Sequence, residues 1–494
     1  MSARIGLIIA ALMISTASAQ SIPPSGASAA FTTDDPALLA ITNTISSGGF
    51  PSREQVSKLD QPSKDPQIRQ ARAEMKEILK HLREEYSLTP QQLLEKVKGK
   101  ISNVSLDDLE RWRAAGQLQF RMIDGQVGYF RREPSNLMRF CEDAKARCDK
   151  PSAGDGGFVL TDHLAKVIDE AKRTGQSEVA PIRHRIKYQL TVPANVGGAK
   201  KGSLLRVWLP FPQEYRQQRE VKLISASPAD PKIAPIGIKD GRILPNAQRT
   251  AYFEKRIDDP TQASVFDVTF EYDSYAYYPI LRDEDAKPLP ADFDKTWIAE
   301  RPPHILFTSQ MKQTVAAVVG DETNPLASAR KIFHYVDSKM RYCAEEEYGL
   351  IPSFSSKALA SLKGDCGIQG TLFITMCRAA GIPARWQSGW ETKPVNWNMH
   401  DWAEFYVEPW GWLPADPSYG LQKSDRADVR EFYFGHQDSY RLIVNLDYGS
   451  PLVPAKNSLR SEPADFQRGE VELDGRNLYF NQWDYDIQFQ WDPR

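Results

Sequence analysis

Few arrangements satisfy the segment Lys363–Trp386, KGDCGIQGTLFITMCRAAGIPARW. Asp365 can cap a helix whose first turn holds Cys366. Leu372, Phe373, Met376, Cys377 and Ala380 line much of that helix, Gly381 ends it, and Pro383 prevents its continuation. Cys366 is thereby expected at a helix N-terminus, where unpaired N–H groups and the helix dipole favour a thiolate. The same N–H groups are suited to an oxyanion.

A thiol nucleophile needs a proton carrier. In MHDWAEFYV, His400, Trp402, Glu404 and Tyr406 alternate with Asp401, Ala403, Phe405 and Val407, which predicts a strand carrying His400. Glu408–Gly411 reads as a tight turn with Pro409 in second place, and GWLPADPS returns as a strand ending at Asp416-Pro417. A carboxylate on the neighbouring strand can fix a histidine tautomer and stabilise imidazolium. Cys366, His400 and Asp416 thus read as a cysteine-nucleophile triad. A turn symmetric about Pro409-Trp410 leaves His400 and Asp416 three residues apart along the ladder. A bulge or an uneven turn between Val407 and Trp412 is therefore expected.

The N-terminus has Arg4, an apolar run Ile5–Ile14 and Ala17-Ser18-Ala19, the pattern of a secretory signal cut after Ala19. The run is shorter than the roughly 20 residues a membrane span needs, and no later segment is long and apolar enough. An exported protein is expected, periplasmic or extracellular. Residues 20–64, rich in Ser, Pro, Gly and Thr, read as a flexible lead-in. Residues 65–180 read as a mainly helical region, with helices broken at Thr89-Pro90, a hairpin turning at Asp124-Gly125, and a helix capped by Thr161-Asp162 and ended by Gly175. Residues 181–300 alternate with period two (Ile186, Tyr188, Leu190, Val192; Phe266, Val268, Phe270, Tyr272), as half-buried strands of a β-sandwich do. Residues 301–450 form the mixed domain with the cysteine, and Asn324-Pro325 or Thr323 starts one of its helices. The aromatic-rich tail 451–494 reads as β, pairing with an earlier domain.

Net charge is −2 and no basic run is present, so there is no nucleic-acid footprint. In an oxidising compartment Cys141 and Cys148 could pair, as could Cys343 and Cys377, and the odd count of five leaves one thiol over. No Cys/His set has zinc spacing and no glycine-rich phosphate loop occurs, so no metal and no cofactor is expected.

Gly364-Asp365-Cys366, Gly381-Ile382-Pro383-Ala384-Arg385, Trp397-x-x-His400-x-Trp402 and Asp416-Pro417 together resemble the core of the transglutaminase-like superfamily, relatives of papain-like thiol enzymes, in its secreted bacterial form. The resemblance covers about residues 320–420. It implies an α+β fold: a helical N-terminal region, a β-sandwich middle domain and a transglutaminase-like (papain-like) catalytic domain. It implies Cys366, His400 and Asp416 as catalytic residues. Trp397 matches a tryptophan that walls the substrate tunnel of animal relatives, with core filling as the alternative. Tyr342 is the nearest upstream candidate to complete an oxyanion hole, or else a core residue. Gly367 departs from the bulkier residue common after the cysteine and is expected to leave room there. The absence of a CxxC pair weighs against peptide N-glycanases, and no acidic loop supports a calcium site.

The expected function is an exported cysteine-dependent enzyme acting on amide bonds of peptide, protein or peptidoglycan-type substrates, by hydrolysis or by acyl transfer to an amine. The alternative is a non-catalytic cell-envelope binding protein with a vestigial domain. Substrate identity and oligomeric state are open at this level.

Overall fold

The computed structural model describes residues 28–149, 158–244, 247–395 and 397–493; the leader expected at 1–19 lies outside them. The fold is α+β. The expected flexible lead-in is instead structured where it is described. Asp35 caps helix α1 (Pro36–Ser46) by accepting from Leu38 N–H. Leu38, Ile41 and Ile45 recur at helical spacing and bury against Met75, Leu79 and Leu82 of α2 (Pro66–Glu85). Composition suggested a linker; three apolar residues on one face were enough to dock a helix. Thr89 closes a capping box with Gln92 at the start of α3 (Pro90–Lys98), and α4 spans Leu106–Ala114. Strands β1 (Phe120–Ile123) and β2 (Gln126–Tyr129) form the hairpin, with Asp124 and Gly125 at φ 49° and 80°, the left-handed pair such a turn requires. Helix α5 (Glu133–Phe140) follows. In α6 (Leu160–Thr174) the N-cap is Val159, without a side-chain bond, so Thr161-Asp162 lies inside the first turn rather than capping it; Gly175 ends the helix as expected.

The sandwich uses β3 (Glu178–Val192), β4 (Leu204–Pro210), β5 (Gln218–Ser227), β6 (Thr250–Arg256) and β7 (Ser264–Tyr277). Ile186, Tyr188, Leu190 and Val192 lie beside Phe266, Val268, Phe270 and Tyr272 of the paired strand, and together they bury against Leu205, Val207 and Phe253 of the second sheet. In the mixed domain, helices α7 (Ser309–Val319), α8 (Pro325–Lys339, capped by Asn324), α9 (Phe354–Ser361) and α10 (Cys366–Ala379) pack on a sheet of β8 (Ala384–Glu391), β9 (Asn398–Val407), β10 (Gly411–Ala415) and β11 (Arg441–Asn445), in the order β10-β9-β8-β11. The tail supplies β12 (Glu470–Leu473) and β13 (Arg476–Leu478) beside β4, and β14 (Asp484–Pro493) beside β3. The two sandwich sheets thus run β14-β3-β7-β5 and, beginning β13-β12-β4-β6, through the second layer.

Sandwich and mixed domain are joined by buried charge. Glu404 on β9 accepts from Arg385 Nε (2.8 Å), from Tyr215 Oη (2.8 Å) and from Arg216 Nη2 (3.1 Å). Cys141 accepts from Ala144 N–H, and Cys343 donates to Glu345, so neither expected disulfide forms. Among the described residues no helix is long and apolar enough to cross a membrane.

Candidate active site

Helix α10 begins at Cys366 because Asp365 accepts from Ile368 N–H (3.3 Å). Its apolar side packs on the Ala403, Phe405 and Val407 face of β9, with Phe373 against Phe405 at 5.8 Å. Asp401 belongs to that same face by strand alternation, and it meets the thiol: Cys366 Sγ donates to Asp401 Oδ2 at 3.4 Å. Gln467 from the tail steadies Asp401, donating to Oδ1 (2.7 Å) and to the carbonyl of His400 (2.9 Å).

Tyr348 links the remaining groups. Its hydroxyl lies 2.7 Å from Asp365 Oδ1 and 3.1 Å from Asp401 Oδ2, and accepts from Gly367 N–H at 3.0 Å. One hydroxyl hydrogen serves one carboxylate at a time, so holding both contacts takes an additional proton on the pair. Burial supplies the reason for one to stay. It pushes the Asp365 carboxyl up to about 7, aided by Glu345, and drives Asp401 well above the usual carboxylate range, aided by Asp365. Burial also pushes the Cys366 thiol up, and the charges of Asp401 and Asp365 add to it. The helix N-terminus was expected to favour a thiolate; at this position burial and two carboxyls outweigh it.

His400 leaves β9 on the opposite face. Its ring lies 5.9 Å from Trp402 and edge-on to Tyr419 at 5.2 Å. Nε2 is 2.7 Å from Asp416 Oδ2. A carboxylate can only accept, so Nε2 carries the hydrogen and, in the neutral ring, Nδ1 carries the lone pair. Asp416 Oδ1 accepts from Ser418 Oγ (2.9 Å) and Tyr419 N–H (3.1 Å), and Arg441 Nη1 stands 2.9 Å from Oδ2. Burial alone would raise the Asp416 carboxyl. The charges of His400 and Arg441 win and hold it well below the usual range.

The register question is settled by an uneven turn. Val407 pairs with Gly411 and Ala403 with Ala415 without a shift, so the connection has three residues, Glu408–Trp410, and no bulge interrupts the ladder. Asp416 falls beside Trp402, two residues from His400 rather than three, close enough for the hydrogen bond.

A cavity of about 280 Å³ opens onto Cys366. Its walls come from α5 and its N-cap (Arg139 and Arg132), from the segment carrying Tyr342 and Tyr348, from Asn398, Met399 and Asp401, and from the tail around Asp465. The helical region is fastened to this wall: Asn136 exchanges two hydrogen bonds with the backbone of Ala344 (3.0 and 2.8 Å). His400 and Asp416 do not line the cavity. Tyr342 does, at its rim, 38% exposed with the Arg139 guanidinium 4.7 Å over its ring. Trp397 stands outside it, 37% exposed and packed against Phe489 at 5.1 Å. Gly367 does not leave room: a Cβ there would come within 2.2 Å of the Tyr348 hydroxyl and 2.6 Å of Trp386. The glycine is what lets both aromatics close on the helix start.

Of the first-turn donors of α10, Gly367 N–H is held by Tyr348 and Ile368 N–H by Asp365. Among the described residues the Cys366 N–H has no hydrogen-bond partner, and no cluster of three or more His, Cys, Asp or Glu side chains converges to hold a metal. Sequence reasoning missed Asp401, Tyr348, Gln467 and Arg441. Asp401 had a signal, an acid on a strand face otherwise made of Ala403, Phe405 and Val407. The other three are brought in by tertiary structure.

The family model described as the transglutaminase-like superfamily matches residues 312–417. A protein of Haemophilus influenzae described only as uncharacterized is 26% identical over 190 residues, covering 31% of this chain and 50% of that protein. The chain thus spans about half the length of that relative. Among solved structures, a candidate cysteine protease from Cytophaga hutchinsonii aligns with 12% identity and a TM-score of 0.41, over 64% of this chain and 92% of that one. The periplasmic domain of TgpA from Pseudomonas aeruginosa aligns with 14% identity and a TM-score of 0.25, over 55% and 95%. Residues 312–417, which hold α10 and the His400 and Asp416 strands, form a domain of the transglutaminase-like superfamily.

Proposed function

We propose that this chain is an exported cysteine-dependent enzyme acting on amide bonds, a peptidase or amidase or an acyltransferase on peptide or cell-envelope substrates. The observation that carries the reading is the buried His400–Asp416 pair at 2.7 Å on the strand whose next residue touches the Cys366 thiol. Cys366, at a helix start and opening on a cavity, is the nucleophile. The thiol is neutral in the free protein and lies on the other side of β9 from His400, so attack begins only once substrate binding brings the thiol within reach of Nδ1 of His400, the ring nitrogen that Asp416 leaves basic. The sulfur adds to the substrate carbonyl, and the Cys366 N–H, with Tyr342 as the candidate second donor, meets the oxyanion. His400 returns its proton to the leaving amine as the thioester forms. Water or a second amine, deprotonated by His400, then releases the acyl group. Trp397 is proposed as an outer substrate contact, since it is exposed beside the strand start. Arg4, Ile5–Ile14 and the Ala-x-Ala site support export.

One observation favours a second reading, a binding protein with a vestigial triad. The thiol is bonded to Asp401 and pushed up, and the cavity does not reach His400. Iodoacetamide labelling at mildly acidic pH separates the two. The enzyme reading expects alkylation of Cys366, slow while the thiol is neutral, that His400→Ala slows further; an inert Cys366, or one indifferent to His400→Ala, supports the binding protein.

A further inference from the structure

Asp416 has two basic neighbours, and only His400 belongs to the proposed triad. His400 Nε2 holds the hydrogen bond to Oδ2 at 2.7 Å. Arg441 Nη1 stands 2.9 Å from the same oxygen, yet among the described residues neither Nη1 nor Nη2 makes a hydrogen bond of good geometry. Arg441 therefore acts on Asp416 by charge rather than as an anchor. Its Nε donates elsewhere, to Asp438 Oδ2 at 3.1 Å. Asp438 accepts in addition from Tyr440 N–H (2.8 Å) and from Tyr433 Oη (3.0 Å). The rings of Trp402, Tyr419 and Tyr433 stand 5.3, 4.7 and 5.5 Å from the guanidinium. His400, Asp416, Asp438 and Arg441 are each at most 5% exposed.

The charges of this buried cluster do not cancel. Burial would raise both carboxyls, but the charges of His400 and Arg441 at Asp416, and of Arg441 at Asp438, hold them below the usual range. Two carboxylates and one guanidinium leave one negative charge over, and a protonated His400 balances it. Without Asp438, Arg441 would neutralise Asp416, and the imidazolium would lose its counter-ion in a place that excludes water. The other ionisable groups around the ring do not take that role. Glu391 pairs with Lys393 (3.3 Å) and accepts from the Tyr419 hydroxyl. Glu404, on the same strand face, is met by Arg385 and Arg216. Burial keeps the Tyr419 and Tyr433 hydroxyls protonated. His163, which contacts Ser439 next to Asp438, is held toward its neutral form by burial. Asp401 and Cys366 meet on the opposite face of β9.

We infer that Asp438, acting through Arg441, is a positioning residue of the site: it draws the guanidinium charge away from Asp416 and leaves Asp416 able to hold the His400 imidazolium. This rests on the Cys366, His400 and Asp416 reading and extends it by a charge pair from β11 and the segment before it. When the thiol proton passes from Cys366 Sγ to His400 Nδ1, the sulfur keeps the electron pair and the ring gains the positive charge. The cluster around Asp416 then goes from one excess negative charge to balance. Asp438 sets how strongly that product state is held.

The test is the titration of the His400 ring in the full-length Cys366→Ala protein, where no thiolate contributes. It is read by NMR of isotopically labelled histidine, the His400 signal being the one lost on adding His400→Ala. Adding Asp438→Asn should move the midpoint down by at least about half a pH unit, roughly a threefold loss of proton affinity. Adding Arg441→Met should move it up by at least as much. Tyr433→Phe, which removes a hydrogen bond from Asp438 but no charge, should move it less than either; packing alone produces no such opposed pair of shifts. An unmoved midpoint in Asp438→Asn, or shifts of one sign in the Asp438 and Arg441 variants, overturns the inference. If Arg441→Met does not fold, the Asp438→Asn shift decides alone. Failure of the enzyme reading looks different: the opposed shifts appear, yet native protein forms no acyl adduct on Cys366. A normal adduct with an unmoved midpoint in Asp438→Asn leaves the enzyme and removes the role of Asp438.

Discussion

Glu133, at the first position of α5, is fully buried, and neither carboxylate oxygen makes a hydrogen bond of good geometry. Burial pushes its carboxyl up to about 8; the backbone of Gln119 and the charge of Lys363 oppose this and lose. In the unfolded chain the same group titrates near its ordinary 4.5. Between those values the folded state binds one proton more than the unfolded state, so stability is full below 4.5 and falls as pH rises. The loss levels off once pH passes through about 8, where the folded group also ionises. At about 1.4 kcal/mol per pH unit the whole loss is on the order of 4–5 kcal/mol. Glu133→Gln keeps the shape and removes the titration, so its advantage over the parent should grow with pH. The assay is urea unfolding of both proteins from about pH 5 to about pH 9, read by circular dichroism of the helical region. The variant should start level or slightly weaker, since an unsatisfied amide costs about 1–3 kcal/mol, and cross the parent as pH rises. Parallel loss of stability in the two proteins would refute the reasoning, because Glu133 would then be ionised within the fold.

Gly367→Ala is expected to displace Tyr348 or Trp386, costing about 1–3 kcal/mol and altering the alkylation rate of Cys366; an unchanged unfolding midpoint and rate would contradict the packing described. Glu404→Gln leaves Arg385 and Arg216 without their buried anion and should cost about 3–5 kcal/mol in urea; a loss below about 1 kcal/mol would show that the network is dispensable. Asp416→Asn should lower turnover of any amide substrate by about a thousandfold or more while leaving substrate binding largely intact. Unchanged turnover would remove Asp416 from the proposed triad.

Local signals carried far into this fold. Asp365, Gly381 and Pro383 bound the cysteine helix, alternation marked β9 and the sandwich strands, and Asp124-Gly125 marked the hairpin. Each works through residues a few positions apart. What misled was composition: the Ser/Gly-rich lead-in hides α1, whose docking depends on α2. The site was legible in the same uneven way. Cys366, His400 and Asp416 stand out by local pattern, and the turn that aligns the last two was expected in one of two forms. The surroundings that set the thiol's chemistry come from afar. Tyr348 arrives from the segment before α9, Gln467 and Asp465 from the tail, and Arg441 from β11. No spacing rule relates such positions, so only the assembled fold reveals that the Cys366 thiol stands among carboxyls.

The mechanism turns on whether Cys366 carries an acyl group. Native protein incubated with a peptide and peptidoglycan-fragment library, quenched in acid and digested, should yield a thioester mass adduct on the peptide bearing Cys366. The adduct should be absent in Cys366→Ala and strongly reduced in His400→Ala. A native protein that alkylates normally yet never forms the adduct across the library, or one whose adduct persists undiminished in His400→Ala, would contradict the proposed chemistry.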